Sequence, residues 1–234
     1  MPRDNATASE YDDPMSERLL GIAADVLRSF GSAFGGRHIA IVGGAVPSIL
    51  VSNPPRGIDA HVGTADLDLH LSLHLLDGET ADYYDEILAG LTSLGLRAAT
   101  DGKRERKWRW VGQYRGITLF PIAGPASWLC LKSDAIMGRN KPKDAYDVVW
   151  VIDALGPHVV ASQIATSVLL ASEFADEVRH QLNMLIFDQF RDTDSIGPRS
   201  YATFLEADPS SAERRHAHGT LSALGEALRT REAI

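Results

Sequence analysis

Nine residues constrain this chain more than any others: Asp66-Leu67-Asp68-Leu69-His70-Leu71-Ser72-Leu73-His74, in which polar and apolar side chains alternate without a break. A period of two marks a strand with one buried and one wet face. Leu67, Leu69, Leu71 and Leu73 are therefore expected in a core, with Asp66, Asp68, His70, Ser72 and His74 on the opposite face. Two carboxylates two positions apart on a strand sit roughly 6–7 Å apart at the backbone. At that spacing both can converge on one divalent cation, or clamp a pair of cations about 3.5–4 Å apart. The plainer alternative is a solvated strand face, although adjacent like charges are usually avoided on a sheet.

Upstream, Ile39-Ala40-Ile41-Val42 is a short apolar run that ends in Gly43-Gly44. Ala45, Val46, Ile49, Leu50 and Val51 follow at helix-compatible spacing. This reads as strand, tight turn and helix start. Glycines at such a turn let the backbone approach a phosphate, and the free N–H groups of the following helix then face the anion. An ordinary strand-to-helix connection would look the same. The order is more specific: Gly-Gly turn, helix, a Pro- and Gly-rich loop from Asn53 to Gly63, then Thr64-Ala65-Asp66-Leu67-Asp68. A third block, Leu131 to Asp147, holds Lys132, Ala135, Arg139, Lys141 and then Lys143-Asp144-Ala145-Tyr146-Asp147.

In this order the blocks resemble the polymerase-beta-like nucleotidyltransferase superfamily, whose signature is a Gly-Gly or Gly-Ser turn followed on the next strand by Asp-x-Asp. The third block looks like the Lys, Ala, Arg, Lys-Asp-x-x-Asp segment of the AbiEii-type abortive-infection nucleotidyltransferases, the toxin components of toxin–antitoxin pairs. The resemblance covers about residues 38 to 152. It implies an α+β (mixed α/β) fold, a nucleotidyltransferase sheet flanked by helices and followed by a helical C-terminal region. It also implies Mg2+-dependent transfer of a nucleoside monophosphate from an NTP to a tRNA end, a protein or a small molecule, with a cognate antitoxin as partner.

Residue by residue, the resemblance makes Asp66 and Asp68 the metal ligands and catalytic acids. Magnesium prefers oxygen ligands and keeps several waters, so few carboxylates suffice. Gly43 and Gly44 would cradle the β- and γ-phosphates, and Thr64 would offer a hydroxyl to phosphate or hold the turn. Lys132 would reach the triphosphate as a mobile point charge. Arg139, Lys141 and Lys143 are further phosphate candidates. Asp144, favoured over Asp147 by motif position, would supply the remaining acid, as a ligand or by holding one. The blander reading makes Lys143–Asp147 an i,i+4 helix pair, Asp144 an acid favoured by the helix dipole and Lys132 a solvent-facing residue. Many members of the superfamily carry a third carboxylate on a later strand, whereas Ile117-Thr118-Leu119-Phe120-Pro121-Ile122 has none. The second reading is therefore a catalytically silent, antitoxin-like binding protein of the same fold. The family's basic residue before Thr-x-Asp has His61 as its nearest counterpart.

With 234 residues the chain can bury a real core. Cys130, the one cysteine, excludes an internal disulfide, fits a reducing cytoplasm and, between Leu129 and Leu131, reads as a buried structural thiol. No signal pattern or membrane-length apolar run is present, so a cytoplasmic protein without a membrane partner is expected. A net charge of −8 argues against a surface that grips nucleic acid throughout. A local basic strip remains: Lys103, Arg104, Arg106, Lys107, Arg109 and Arg115, interleaved with Trp108, Trp110 and Tyr114. It reads best as a hairpin strand with Trp inward and basic residues outward.

The chain divides into a loose arm (1–14), a nucleotidyltransferase domain (15–156) and a helical C-terminal domain (157–234), with the boundary at Gly156-Pro157. Expected helices are Met15–Phe34, one after the Gly pair, 79–94, Trp128–Gly138, one opening near Pro142, and then 159–189, 198–206 and 210–230. Expected strands are 38–42, 65–74, Arg104–Gly112 and Gly116–Ile122, with the last two forming a hairpin.

Overall fold

The computed structural model describes residues 6–11, 21, 39–51, 53–64, 68–71, 92, 97–101, 104–111, 123–139, 141–208 and 212–234. Asp66, the helices expected at 15–34 and 79–94, and the strand expected at 116–122 fall outside that set, apart from single residues.

Strand β1 (Ile39–Val42) runs into a short 3-10 turn, Gly43–Ala45, and then helix α1 (Val46–Leu50). Strand β2 (Asp68–Leu71) pairs antiparallel with β1, setting Ile41 opposite Leu69 and Val42 opposite Asp68. Strands β3 (Arg97–Asp101) and β4 (Arg104–Val111) form a second antiparallel pair with an irregularity between Ala98 and Ala99. The basic strip thus lies partly on β4, which pairs with the segment at 97–101, while the expected partner strand at 116–122 lies outside the described residues.

The remainder is helical. Helices α2 (Pro125–Gly138), α3 (Pro142–Leu155) and α4 (Pro157–Ala165) each open on proline, whose fixed φ suits a first turn that needs no N–H donor. Gly156, with φ 86°, separates α3 from α4. After α4 the chain forms a 3-10 turn (Val168–Ala171), α5 (Ala175–Asn183), a π-helical continuation (Met184–Gln189), α6 (Ile196–Phe204) and α7 (Ala212–Arg229).

The continuous helix expected over 159–189 is broken, and short polar side chains explain where. Thr166 Oγ1 donates to Ser162 O at 2.9 Å, the Ser167 hydroxyl accepts from Leu169 N, and Ser172 Oγ both donates to Leu169 O and accepts from Phe174 N. These local bonds compete with the helix ladder.

Helix α3 is the axis of the molecule. Twelve of its fourteen residues are buried, and α2, α4, α6 and α7 pack around it. Its apolar side chains Val148, Val149 and Ile152 join Trp128 and Ile136 from α2 and Leu221 and Leu224 from α7 in one core, which runs on both sides of Gly156. Residues of the N-terminal segment also join it: Ala6 is buried, and the Tyr11 ring lies 5.6 Å from that of Phe204.

The expected fold class needs correction. Among the described residues the strands make only two separate two-stranded pairs, and helices form most of the structure and its core. A polymerase-beta-like sheet flanked by helices is therefore not the architecture observed. The physical reason is that alternation at 66–74 reports the two faces of a strand, not how many neighbours it pairs with.

At the start of α6, a Cβ on Gly197 would run into the ring of Phe190, which is fully buried. Gly197→Ala is expected to destabilise the chain by about 1–3 kcal/mol through overpacking. Denaturant unfolding measures this, and an unchanged midpoint would contradict the packing described.

Candidate functional site

The site begins where β1 ends. Gly43 has φ +73°, a conformation that suits glycine, and a Cβ there would collide with the Asp68 carboxylate. The register with Val42 is what brings Asp68 against the turn. At Gly44 a Cβ would lie 2.9 Å from Thr64 Oγ1 and 3.4 Å from Lys143 Nζ. Both glycines are thus hemmed in by polar groups, and Trp128 Nε1 pins the turn by donating to Gly43 O at 3.0 Å.

Behind the turn lies a buried charge network. Lys132 of α2, 2% exposed, donates to Asp144 Oδ1 at 2.7 Å and to Asp147 Oδ2 at 2.6 Å. Arg139, at the C-terminal end of α2, forks onto Asp144 with two bonds of 2.9 Å and leaves about half its side chain in solvent. Asp147 is fully buried and also takes Lys143 Nζ at 2.6 Å and His61 Nε2 at 2.9 Å. Pro142 opens α3 so that Lys143, Asp144 and Asp147 fall in its first two turns, facing α2.

Burial alone would raise the pKa of Asp147, yet Lys132, Lys143 and His61 together hold it well below the usual carboxylate range. Asp144 is likewise lowered, with Lys132 and Arg139 outweighing burial. Burial opposes the charge on Lys132 too, but its two carboxylates raise its pKa above the ordinary lysine value. For Lys143 burial prevails over Asp147 and the pKa falls. Burial also lowers His61. His61 Nδ1 accepts from Gly63 N–H at 3.1 Å, which places the proton on Nε2, facing Asp147. Lys132, Lys143 and Arg139 thus meet Asp144 and Asp147 beside Asp68, whose field Arg139 feels, and Asp134 adds a further carboxylate to the cavity wall.

A cavity of about 500 Å³ opens onto this network. Val42, Gly43 and Asp68 form one side, and Trp128, Leu131 and Arg139 of α2 another, with Lys132 also lining it. Gly43, Asp68, Lys132 and Arg139 therefore meet at one cavity, as the order of motifs implied. Gly44 and Thr64 lie at the turn beside Lys143, and Asp144 is one layer in, bound to Lys132 and Arg139. Lys132 is neither a mobile point charge nor a solvent-facing residue, because two carboxylates fix it in the interior. The Lys143–Asp147 i,i+4 pair is present. Asp147, which the motif position placed second to Asp144, is the centre of the network, and His61, the nearest counterpart of the family's basic residue, is bound to it.

Among the described residues no group of three or more His, Cys, Asp or Glu side chains converges as a ready metal cage. Asp68 is exposed at the cavity and, with Asp134, brings a carboxylate to its lining. Cys130 is partly buried and its thiol is pushed up to about 11, in keeping with a structural role.

Searches of family models, of curated proteins and of solved structures find no match. No single helix among the described residues is long and apolar enough to cross a membrane.

Because Asp144 and Asp147 both titrate below their ordinary value of 3.8, the network stabilises the fold above that pH and is lost as pH falls toward the folded-state values. The urea midpoint should hold near neutrality and fall progressively below about pH 4. A midpoint unchanged down to pH 3 would contradict a network held together by ionised carboxylates.

Proposed function

We propose that the chain is a nucleotidyltransferase that binds an NTP in the cavity between the Gly43-Gly44 turn and α2 and passes its nucleoside monophosphate to an acceptor. The observation that supports this most is the seating of the Asp68 carboxylate against a positive-φ glycine at the mouth of a cavity that Lys132 and Arg139 also line. The missing Cβ at Gly43 is what lets the Asp68 carboxylate lie against the backbone of the turn. The reading rests on this local chemistry and on no sheet architecture.

In the reaction an acceptor hydroxyl attacks the α-phosphorus and pyrophosphate leaves. Positioning and charge neutralisation are what such a protein contributes. Asp68, an oxygen ligand at the cavity, would hold a magnesium ion, with Asp66 as the second ligand that the motif implies. Bound there, it would neutralise charge on the phosphates as the leaving group departs. Arg139 is anchored to Asp144 through one edge of its guanidinium and half-exposed at the cavity, so it can orient phosphate oxygens. Lys132, kept protonated by Asp144 and Asp147, sets a fixed positive potential under the cavity. A tRNA end, a protein or a small molecule would serve as acceptor, and a cognate antitoxin as the neutralising partner.

A second reading is favoured by one observation: Lys132 already has two carboxylate partners. A nucleotide-binding protein without turnover would tolerate that better than an enzyme whose lysine must move.

Incubating the chain with Mg2+, each of the four α-labelled NTPs, and tRNA or protein should transfer label. Asp68→Asn and Asp66→Asn should each reduce transfer by roughly 10²–10³-fold with the melting temperature near wild type. Binding without transfer would select the second reading. Absence of both transfer and calorimetric NTP binding would overturn the proposal.

A further inference from the structure

His61 sits at a joint between three parts of the molecule. The loop 53–64, which leads directly into Thr64 and the acidic strand, has no regular secondary structure. It is fastened to one face of α3 at three points: Trp150 Nε1 donates to Asp59 O at 3.0 Å, Tyr146 is hydrogen-bonded to the backbone of Val62, and His61 Nε2 meets Asp147. The imidazole is packed between aromatic rings, 5.4 Å from Tyr146 and 4.9 Å edge-on from Trp150. Its Nδ1 faces Gly63 N–H and, at 3.3 Å, Ser48 Oγ of α1. Both ring nitrogens are engaged and the residue is 5% exposed, so it cannot touch a substrate.

We infer that His61 is a positioning residue, which through Asp147 holds the Lys132 ammonium group at the nucleotide cavity and that of Lys143 behind the glycine turn, while fixing the loop that ends in Thr64. The inference rests on the nucleotide reading of the cavity. The geometry gives the reason. Asp147 Oδ1 is shared by His61 and Lys143, and Oδ2 is taken by Lys132. A neutral N–H on Oδ1 fixes the plane of the carboxylate without adding charge. Remove it and the carboxylate can turn toward Lys143, drawing Oδ2 away from Lys132.

Two polar variants separate this role from mere loop support. In His61→Gln the amide N–H can reach the position of Nε2 and still donate to Asp147, but the acceptor for Gly63 is lost. In His61→Asn the side-chain oxygen can replace Nδ1 and still accept from Gly63, but nothing reaches Asp147. Two measurements on the full chain, well below its melting temperature, test the proposal. One is calorimetric binding of an NTP with Mg2+. The other is acetic anhydride labelling of Lys132 and Lys143 read by mass spectrometry.

His61→Asn should weaken NTP binding about tenfold, the loss of one bond to a charged group, and should speed acetylation of Lys132. His61→Gln should stay close to wild type in both. The reverse pattern, or two variants that behave alike, overturns the proposal and makes His61 a loop-capping residue, as does failure of both to fold. If the wild type binds no NTP but Lys132 labelling rises only in His61→Asn, the nucleotide reading falls and the positioning role stands.

Discussion

The carboxylate of Asp147 lies in the interior with no access to water, and everything at the site is arranged around keeping it ionised. An isolated buried carboxylate would cost several kcal/mol. Here Lys132, Lys143 and the His61 N–H meet it at 2.6–2.9 Å. Such a cluster is weak evidence for stability, since well-packed apolar residues often do as well. Its value is geometric: it allows one arrangement of α2, α3 and the loop before β2. Because Arg139 and Lys132 share Asp144, the same cluster sets the charge presented to the cavity.

This explains why α3 is both the core helix and the functional one. Its apolar face is packed by α6 and α7, and His216 and Thr220 of α7 grip Asp153 near its far end at 2.6 and 2.9 Å. Its first two turns carry the charges. A helix so constrained along its length cannot shift to accommodate a misplaced lysine, so the cavity inherits the rigidity of the core. The π-helical continuation of α5 adds to this: Gln189, buried there, donates to Ser133 O and Oγ beside Lys132.

The local elements were readable where a residue has one physical meaning. Proline at 142 and 157 and glycine at 156 mark the ends of α3 and α4, and the alternation at 66–74 contains β2. What failed depended on context. The Leu positions of 66–74 say which face is apolar but nothing about further strands, so a full sheet was over-read. The break of 159–189 comes from Thr166, Ser167 and Ser172, whose hydroxyls act on neighbouring backbone groups that periodicity does not weigh. At the site, Gly43, Asp68, Lys132 and Arg139, which the motif order names, line one cavity. The burial of Lys132 was not legible, because a lysine in the middle of a helix ordinarily faces water. Nor was the bond from His61, which lies 86 positions from Asp147 in sequence.

The central claim is that this cavity holds a polyphosphate and a cation. A crystal structure of the chain soaked with Mg2+ and a non-hydrolysable NTP tests it most directly. The account requires a cation with an Asp68 oxygen at about 2.0–2.1 Å and phosphates lying between the Gly43 turn and Arg139. A ligand bound elsewhere, or a cavity that stays empty at saturating nucleotide with Asp68 turned to bulk water, would contradict it.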